Sequence, residues 1–172
     1  MGVNVLSSTG KALGLAGLMY AASLASAGYA ASPAATGDPF TELKGDWKGG
    51  GTVILDDGEK KKVDCTTTYK VAGTNVTQTL HCKGADYEVN TLLKVTDKSG
   101  KIKGTWTESV YDASGSVSGT AKGDTIHAII SGDKFSGRMS IKVKGDAHTI
   151  NVVKLNNKTG TYRLATSLSL HR

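Results

Sequence analysis

The sequence predicts an all-β domain: a single antiparallel up-and-down β-barrel of about 8–10 strands, stapled by one hairpin disulfide. Three observations predict it. From Thr41 onward, apolar and polar residues alternate with period two, and no helical period is sustained. Clusters of Gly, Asp, Asn or Ser break that alternation about every 8–12 residues, and with 22 Gly against 2 Pro the turns rely on glycine. Hairpin arithmetic brings the only two cysteines face to face, as shown below. Hairpins with one wet and one apolar face and no helix to cover the latter must close on themselves or fold into two layers. Closure also removes the edge strands, so the barrel is favoured over the β-sandwich alternative.

Residues 1–30 are a different kind of sequence. One charge at Lys11 precedes the apolar, small-residue run Ala12–Leu24, and small residues follow up to Ala27-Gly28-Tyr29-Ala30. This is a secretory signal pattern, with cleavage expected near Ala30. Its apolar run falls short of the roughly 20 residues needed to span a bilayer, so a periplasmic or secreted protein is expected, with no transmembrane segment after cleavage. Residues 31–40 (opening ASPAATGD) read as a short disordered lead, and 41–172 as the barrel domain. What remains after cleavage suits one domain rather than two.

The net charge of +6 is mild and dispersed. Its only basic run, Lys60-Lys61-Lys62, is flanked by Asp56, Asp57, Glu59 and Asp64. That reads as a solvated strand edge and not as a nucleic-acid groove, which would interleave basic residues with exposed aromatics.

The first strand lies in Leu43–Leu55, LKGDWKGGGTVIL, and its opening recurs at Ile102–Trp106 as IKGTW. In both copies the apolar residue, Gly and Trp share one strand face. Trp47 is expected to plug one barrel end, the inward glycine before each Trp making room for its ring. For the hairpins, opposed residues in an antiparallel pair have a constant sum of positions. A loop at Ala72–Asn75 sets Val71 against Val76, Tyr69 against Gln78 and Cys65 against Cys82. Opposed Cα atoms on neighbouring strands lie about 4.5–5.5 Å apart, which a disulfide accepts, and an exported chain favours its oxidation. A loop at Asp97–Gly100 predicts Val95 opposite Ile102, Thr91 opposite Trp106, and Tyr87 opposite Val110. A loop at Gly132-Asp133 predicts Ile130 opposite Phe135, and one at Lys144–Ala147 predicts Val143 opposite His148. The last strand reads as Tyr162, Leu164, Leu168 and Leu170 inward against Arg163, Ser167 and Ser169 outward.

Gly45-Asp46-Trp47 on the first strand of a small exported barrel resembles the G-x-W signature of the lipocalins and their calycin relatives. IKGTW and the late Gly-rich hairpins look somewhat like avidin-type barrels. The GxWxGxG start with paired cysteines resembles small uncharacterised secreted proteins of alphaproteobacteria. The lipocalin resemblance implies an interior that holds a small apolar molecule.

The residues themselves point the same way. Inward Gly45, Gly49, Gly51, Gly104, Gly137, Thr67, Thr91 and Ala128 are small, and small inward residues underfill a barrel of this strand number. The expected ligand is therefore a small apolar or amphipathic molecule, with Trp106, Tyr69, Tyr87, Phe135 and Met139 as walls. Glu108, on the inward parity two places after Trp106, is its expected polar contact or else a wet rim residue; Lys154 is within reach by parity, and Val110 beyond it, also inward, speaks against the rim. Trp47, Cys65 and Cys82 are structural. No metal and no cofactor are expected, since His81 and His127 fall on outward positions and only His148 points in. No Ser or Thr can be placed beside a His and an acid, so catalysis is not expected. The alternative function is a solid barrel whose loops bind a protein partner of the envelope or a host, as inhibitors of secreted proteases or lysozyme do.

Overall fold

The computed structural model of the chain describes residues 37–172. The signal segment 1–30 and positions 31–36 of the lead lie outside the described residues. Ten antiparallel strands follow one short helix: α1 (Pro39–Leu43), β1 (Gly45–Ile54), β2 (Lys60–Ala72), β3 (Asn75–Lys83), β4 (Glu88–Lys98), β5 (Lys101–Glu108), β6 (Ala113–Lys122), β7 (Thr125–Gly132), β8 (Gly137–Lys144), β9 (Ala147–Asn156) and β10 (Thr161–His171). Each strand pairs with its sequence neighbours and β1 pairs with β10, so the sheet is a closed up-and-down barrel. Closure leaves no unpaired edge.

The helix differs from expectation, which placed 39 and 40 in a disordered lead, opened the barrel domain at 41 and set Leu43 in the first strand. Asp38 caps it by accepting a hydrogen bond from the Phe40 N–H at 2.9 Å, and Pro39 occupies the first turn, where its missing N–H costs nothing. Phe40 and Leu43 are buried, and α1 touches β2, β6 and β8. It therefore lies across the barrel end where β1 begins, here called the closed end. Trp47 donates its indole N–H to the Leu43 carbonyl at 2.7 Å, which ties the helix to the plug. The Arg172 guanidinium stacks 4.3 Å from the Trp47 ring and hydrogen-bonds the Glu42 carbonyl, holding α1 from the C-terminal side.

The hairpin β2–β3 has the predicted register, with Val71 opposite Val76, Tyr69 opposite Gln78 and Cys65 opposite Cys82. The two cysteines form the disulfide, their Cα atoms 4.1 Å apart. The β8–β9 register is also as predicted, with Val143 opposite His148. Two other hairpins are displaced by two residues. Between β4 and β5 the turn closes on Ser99 and Gly100, both at positive φ (53° and 80°), the tight hairpin geometry that matches strand twist. Leu93 therefore faces Trp106, Thr91 faces Glu108, and Asp97 faces Ile102. Tyr87 and Val110 do not pair: both lie beyond the strand ends, and Val110 is 44% exposed. Between β7 and β8, Ile130 faces Gly137 instead of Phe135, because the connection is longer. Ser136 Oγ donates to the Gly132 carbonyl and accepts from the Gly132 N–H, closing that wider loop.

In β10 the ladder shifts between Leu164 and Thr166. One extra residue in one strand inverts the faces of everything beyond it. Leu168 and Leu170 point inward as predicted, but Tyr162 and Leu164 are turned out and exposed, Ala165 is buried, and Arg163 takes an inward place opposite Lys154.

The inward glycines do not hollow the barrel. A methyl group at Gly49 would stand 2.1 Å from the Ser169 carbonyl oxygen, and one at Gly51 would stand 2.0 Å from that of Ser167. The neighbouring backbone fills that space, and the glycines let the strands coil closely. Nor is the room for Trp106 made by Gly104: a methyl at Gly132 would lie 2.9 Å from Trp106 Cζ2, so the ring packs over Gly132 of β7.

Candidate functional site

The two halves of the barrel interior differ. Toward the closed end the inward residues are buried, among them Tyr69, Val95, Ile102, Ile126, Ile141, Val143, His148, Leu168 and Leu170. Toward the other end Val53, Val63 and Cys82 are still buried, but other inward apolar residues pack on the core while keeping part of their surface accessible: Leu80, Val89, Ala113, Ile130, Met139 and Val152, with Leu55, Tyr87 and Phe135 of the adjoining turns. This open end gathers the turns after β1, β3, β5, β7 and β9. The closed half is packed solid, and the partly accessible apolar side chains of the open half form its mouth, here called the cup.

The structure brings together four of the six residues expected to line a ligand site. Trp106 forms the cup's floor, 6% exposed; Phe135 stands edge-on to it with ring centroids 6.2 Å apart. Its indole N–H points at the Ser131 carbonyl at 3.4 Å. Met139 is on the β8 wall, and Tyr87 sits at the rim with its ring 5.9 Å from that of Tyr111. Burial pushes the Tyr87 phenol up to about 12. Tyr69 is elsewhere. It is 2% exposed in the solid half, its hydroxyl accepts from Gln78 Nε2 at 2.9 Å, and burial raises its pKa strongly. Parity gave its face but not its depth.

Glu108 is the sixth. It ends β5 at the open end but is buried, and its oxygens accept the backbone N–H groups of Asn90 (2.8 Å), Val110 (3.0 Å) and Tyr111 (2.6 Å). These bonds tie the β5–β6 turn to β4, so its carboxylate is committed to the backbone. Lys154, placed within its reach by parity, instead pairs with Asp56.

Of the charged residues at the open end, sequence reasoning placed only Lys154 inward; it read Lys61 as part of a solvated strand edge and Arg163 as outward. Lys61, Lys154 and Arg163 all take inward strand positions there, with side chains 15%, 26% and 34% exposed. Lys154 Nζ donates to both Asp56 oxygens at 2.9 Å and lies 5.9 Å from the Phe135 ring centre. Arg163 donates to Asp56 and, through Nη1, to the Leu55 carbonyl at 2.7 Å. The hydrogen bond from Lys154, with the charges of Lys154 and Arg163, holds the Asp56 carboxyl below its usual range. Lys61 bridges Glu59 (2.7 Å) and Asp86 (2.5 Å) on two turns of the same rim, which raises its pKa. Inward parity at Lys61 and Lys154 was the available signal.

The outer wall carries two grooves. A groove of about 400 Å³ crosses β2–β5 past Thr66, Thr68, Thr79, His81 and Thr107, and a second of about 350 Å³ lies beside it near His171. Neither includes Trp106. Tyr162, Leu164 and Ile129 (55% exposed) are also turned outward, with Arg138 lying between Ile129 and Val153 in the ladder and stacked 4.2 Å from the Tyr162 ring. Among the described residues, no three His, Cys, Asp or Glu side chains converge as a metal site needs, and no helix is long and apolar enough to cross a membrane.

The geometry defines a closed, ten-stranded antiparallel up-and-down barrel. Three solved structures are similar to it: Rv2717c from M. tuberculosis (TM-score 0.65, 14% identity, covering 82% of this chain and 98% of that one); a DUF3598-family protein of unknown function from Nostoc punctiforme (0.56, 13%, 83% and 53%); and the S-type phycobiliprotein lyase CpeS from Guillardia theta (0.51, 14%, 76% and 88%). At such identities the likeness is one of fold. No protein-family model matches the chain, and no curated protein matches it in sequence.

Proposed function

We propose that the chain is an exported binding protein, not an enzyme, which takes a small apolar or amphipathic molecule into the open half of its barrel. The observation that carries this is the partition of the interior. Water-accessible apolar side chains on inward strand positions, floored by a tryptophan, form a concave site of the kind small ligands fill. A barrel that needed only stability would gain by burying those side chains fully. Trp106 and Phe135 give the walls, with Met139 as an adaptable contact. Export rests on the N-terminal signal pattern and suits the disulfide.

The test is native mass spectrometry of the protein purified from its host, with Trp emission followed during titration with dodecanoate, dodecan-1-ol and a sterol. A co-purifying small molecule, or an emission change lost in Trp106→Phe, is the expected result. No bound molecule together with no response to any probe would overturn the proposal. A second reading, a protein partner on the outer wall, is favoured by the exposed Ile129, Tyr162 and Leu164. It expects Leu164→Ser to abolish capture of a defined partner while leaving probe titrations unchanged; capture at full strength by that variant would count against it.

A further inference from the structure

We infer that the cup takes an anionic amphipath, a molecule with one carboxylate-type headgroup on an apolar tail, and that Lys154 and Arg163 receive the headgroup in place of Asp56. This rests on the reading of the open half as a binding site and deepens it.

Lys154 on β9 and Arg163 on β10 are directly opposed across the ladder and point to the interior side of the rim. Both bind one carboxylate, Asp56, which belongs to the β1–β2 turn and whose side chain is 74% exposed. The two sides of this pairing are not equivalent. The cations are anchored on strands, with Lys154 Nζ 5.9 Å from the Phe135 ring centre, whereas the acid stands on a turn with water on its far side. An exposed carboxylate can exchange its partners for water at small cost. The cations are the more enclosed side of the pair, 26% and 34% exposed against 74% for Asp56. A carboxylate arriving with its tail in the cup meets the planar fork of Arg163 and the ammonium of Lys154 from the interior side, the arrangement that binds carboxylates bidentately. Phe135, edge-on to Trp106 and close to Lys154, spans the distance between head and tail. The other acid on the inward face of this rim, Glu108, has its oxygens on backbone N–H groups and does not compete. Lys61 repeats the pattern further round, enclosed and held by two exposed turn carboxylates, Glu59 and Asp86.

The experiment compares dodecanoate with dodecan-1-ol, equal in tail and different in headgroup charge, by Trp emission. The protein as it exists should bind dodecanoate about tenfold or more tightly than the alcohol. In Asp56→Asn the competing carboxylate is gone, so dodecanoate affinity should rise roughly two- to fivefold while the alcohol's is unchanged. In Lys154→Gln/Arg163→Gln the preference should vanish. Should that double variant fail to fold, Asp56→Asn alone decides, since its carboxylate is exposed and its loss does not empty the core. Equal affinities for the two probes, or weaker dodecanoate binding in Asp56→Asn, would overturn the headgroup inference and leave the cup standing. Binding of neither probe would overturn the cup, and the inference with it.

Discussion

Mild acid should destabilise this barrel through one residue, His148. Its ring sits on the inward face of β9, 2% exposed, edge-on to Trp47 at 4.5 Å between centroids and 3.4 Å from the Tyr69 hydroxyl through Nε2, while Nδ1 has no hydrogen-bond partner. Val143 and Leu170 flank it across the ladders. Among the described residues the charge that acts on it is the Arg172 guanidinium, stacked on Trp47. Burial first, and then the Arg172 charge, push its pKa from 6.5 down to about 4. The folded state therefore prefers the neutral ring, whereas the unfolded chain protonates at the ordinary value. The stabilisation of the neutral form is complete above about pH 6.5, is lost as pH falls toward about 4, and changes no further below that. The full effect is on the order of 3 kcal/mol at 1.36 kcal/mol per pH unit, and about 2.5 kcal/mol is gone by about pH 4.5. Asp56, Asp86 and Asp124, all held below the ordinary carboxylate range, contribute stability that is lost at still lower pH. Urea unfolding at about pH 7.5 and about pH 4.5 measures the difference. His148→Leu will lower stability at neutral pH through lost contacts, but its loss between the two pH values should be smaller than that of the parent by about 2.5 kcal/mol. Equal losses in the two proteins would refute the assignment.

Two further outcomes follow from the same contacts. Glu108→Ala leaves three backbone N–H groups, that of Asn90 on β4 and those of Val110 and Tyr111 in the turn, without their acceptor and should cost roughly 2–3 kcal/mol in urea unfolding, with Glu108→Gln, which keeps one carbonyl acceptor, costing less; a variant of unchanged stability but weakened probe binding would return Glu108 to the role of ligand contact. Cys65→Ser opens a link between residues 17 apart and should cost on the order of 3 kcal/mol in a thermal or denaturant melt, as should reduction of the parent protein.

Much of the architecture could be read from residues alone. The Cys65–Cys82 hairpin was legible because a loop length, an alternating face and a redox-competent pair all agreed, and a one-residue slip of either strand would have put the two cysteines on opposite faces. The two misplaced hairpins differ by two residues, a shift that leaves every side chain on its original face, so alternation cannot detect it; the turn's dihedral angles at Ser99 and Gly100 decide it. The helix was marked by Asp38 and Pro39, a cap followed by a first-turn proline, but at five residues it is too short to show a period. The β10 bulge left no sign in its pattern, which is why Arg163 read as outward and Tyr162 and Leu164 as inward.

By itself, then, the sequence determined the class of fold, the disulfide and the face of most strand residues, because period-two alternation and loop length are local properties of the chain. Only the tertiary structure decided depth: that Tyr69 lies in the packed half and Trp106 at the floor of the open one, and that Lys154 meets Arg163 over Asp56. Depth is set by which end α1 covers and by how the ten strands stagger as the sheet closes, and closure joins residues far apart in sequence that no local period relates.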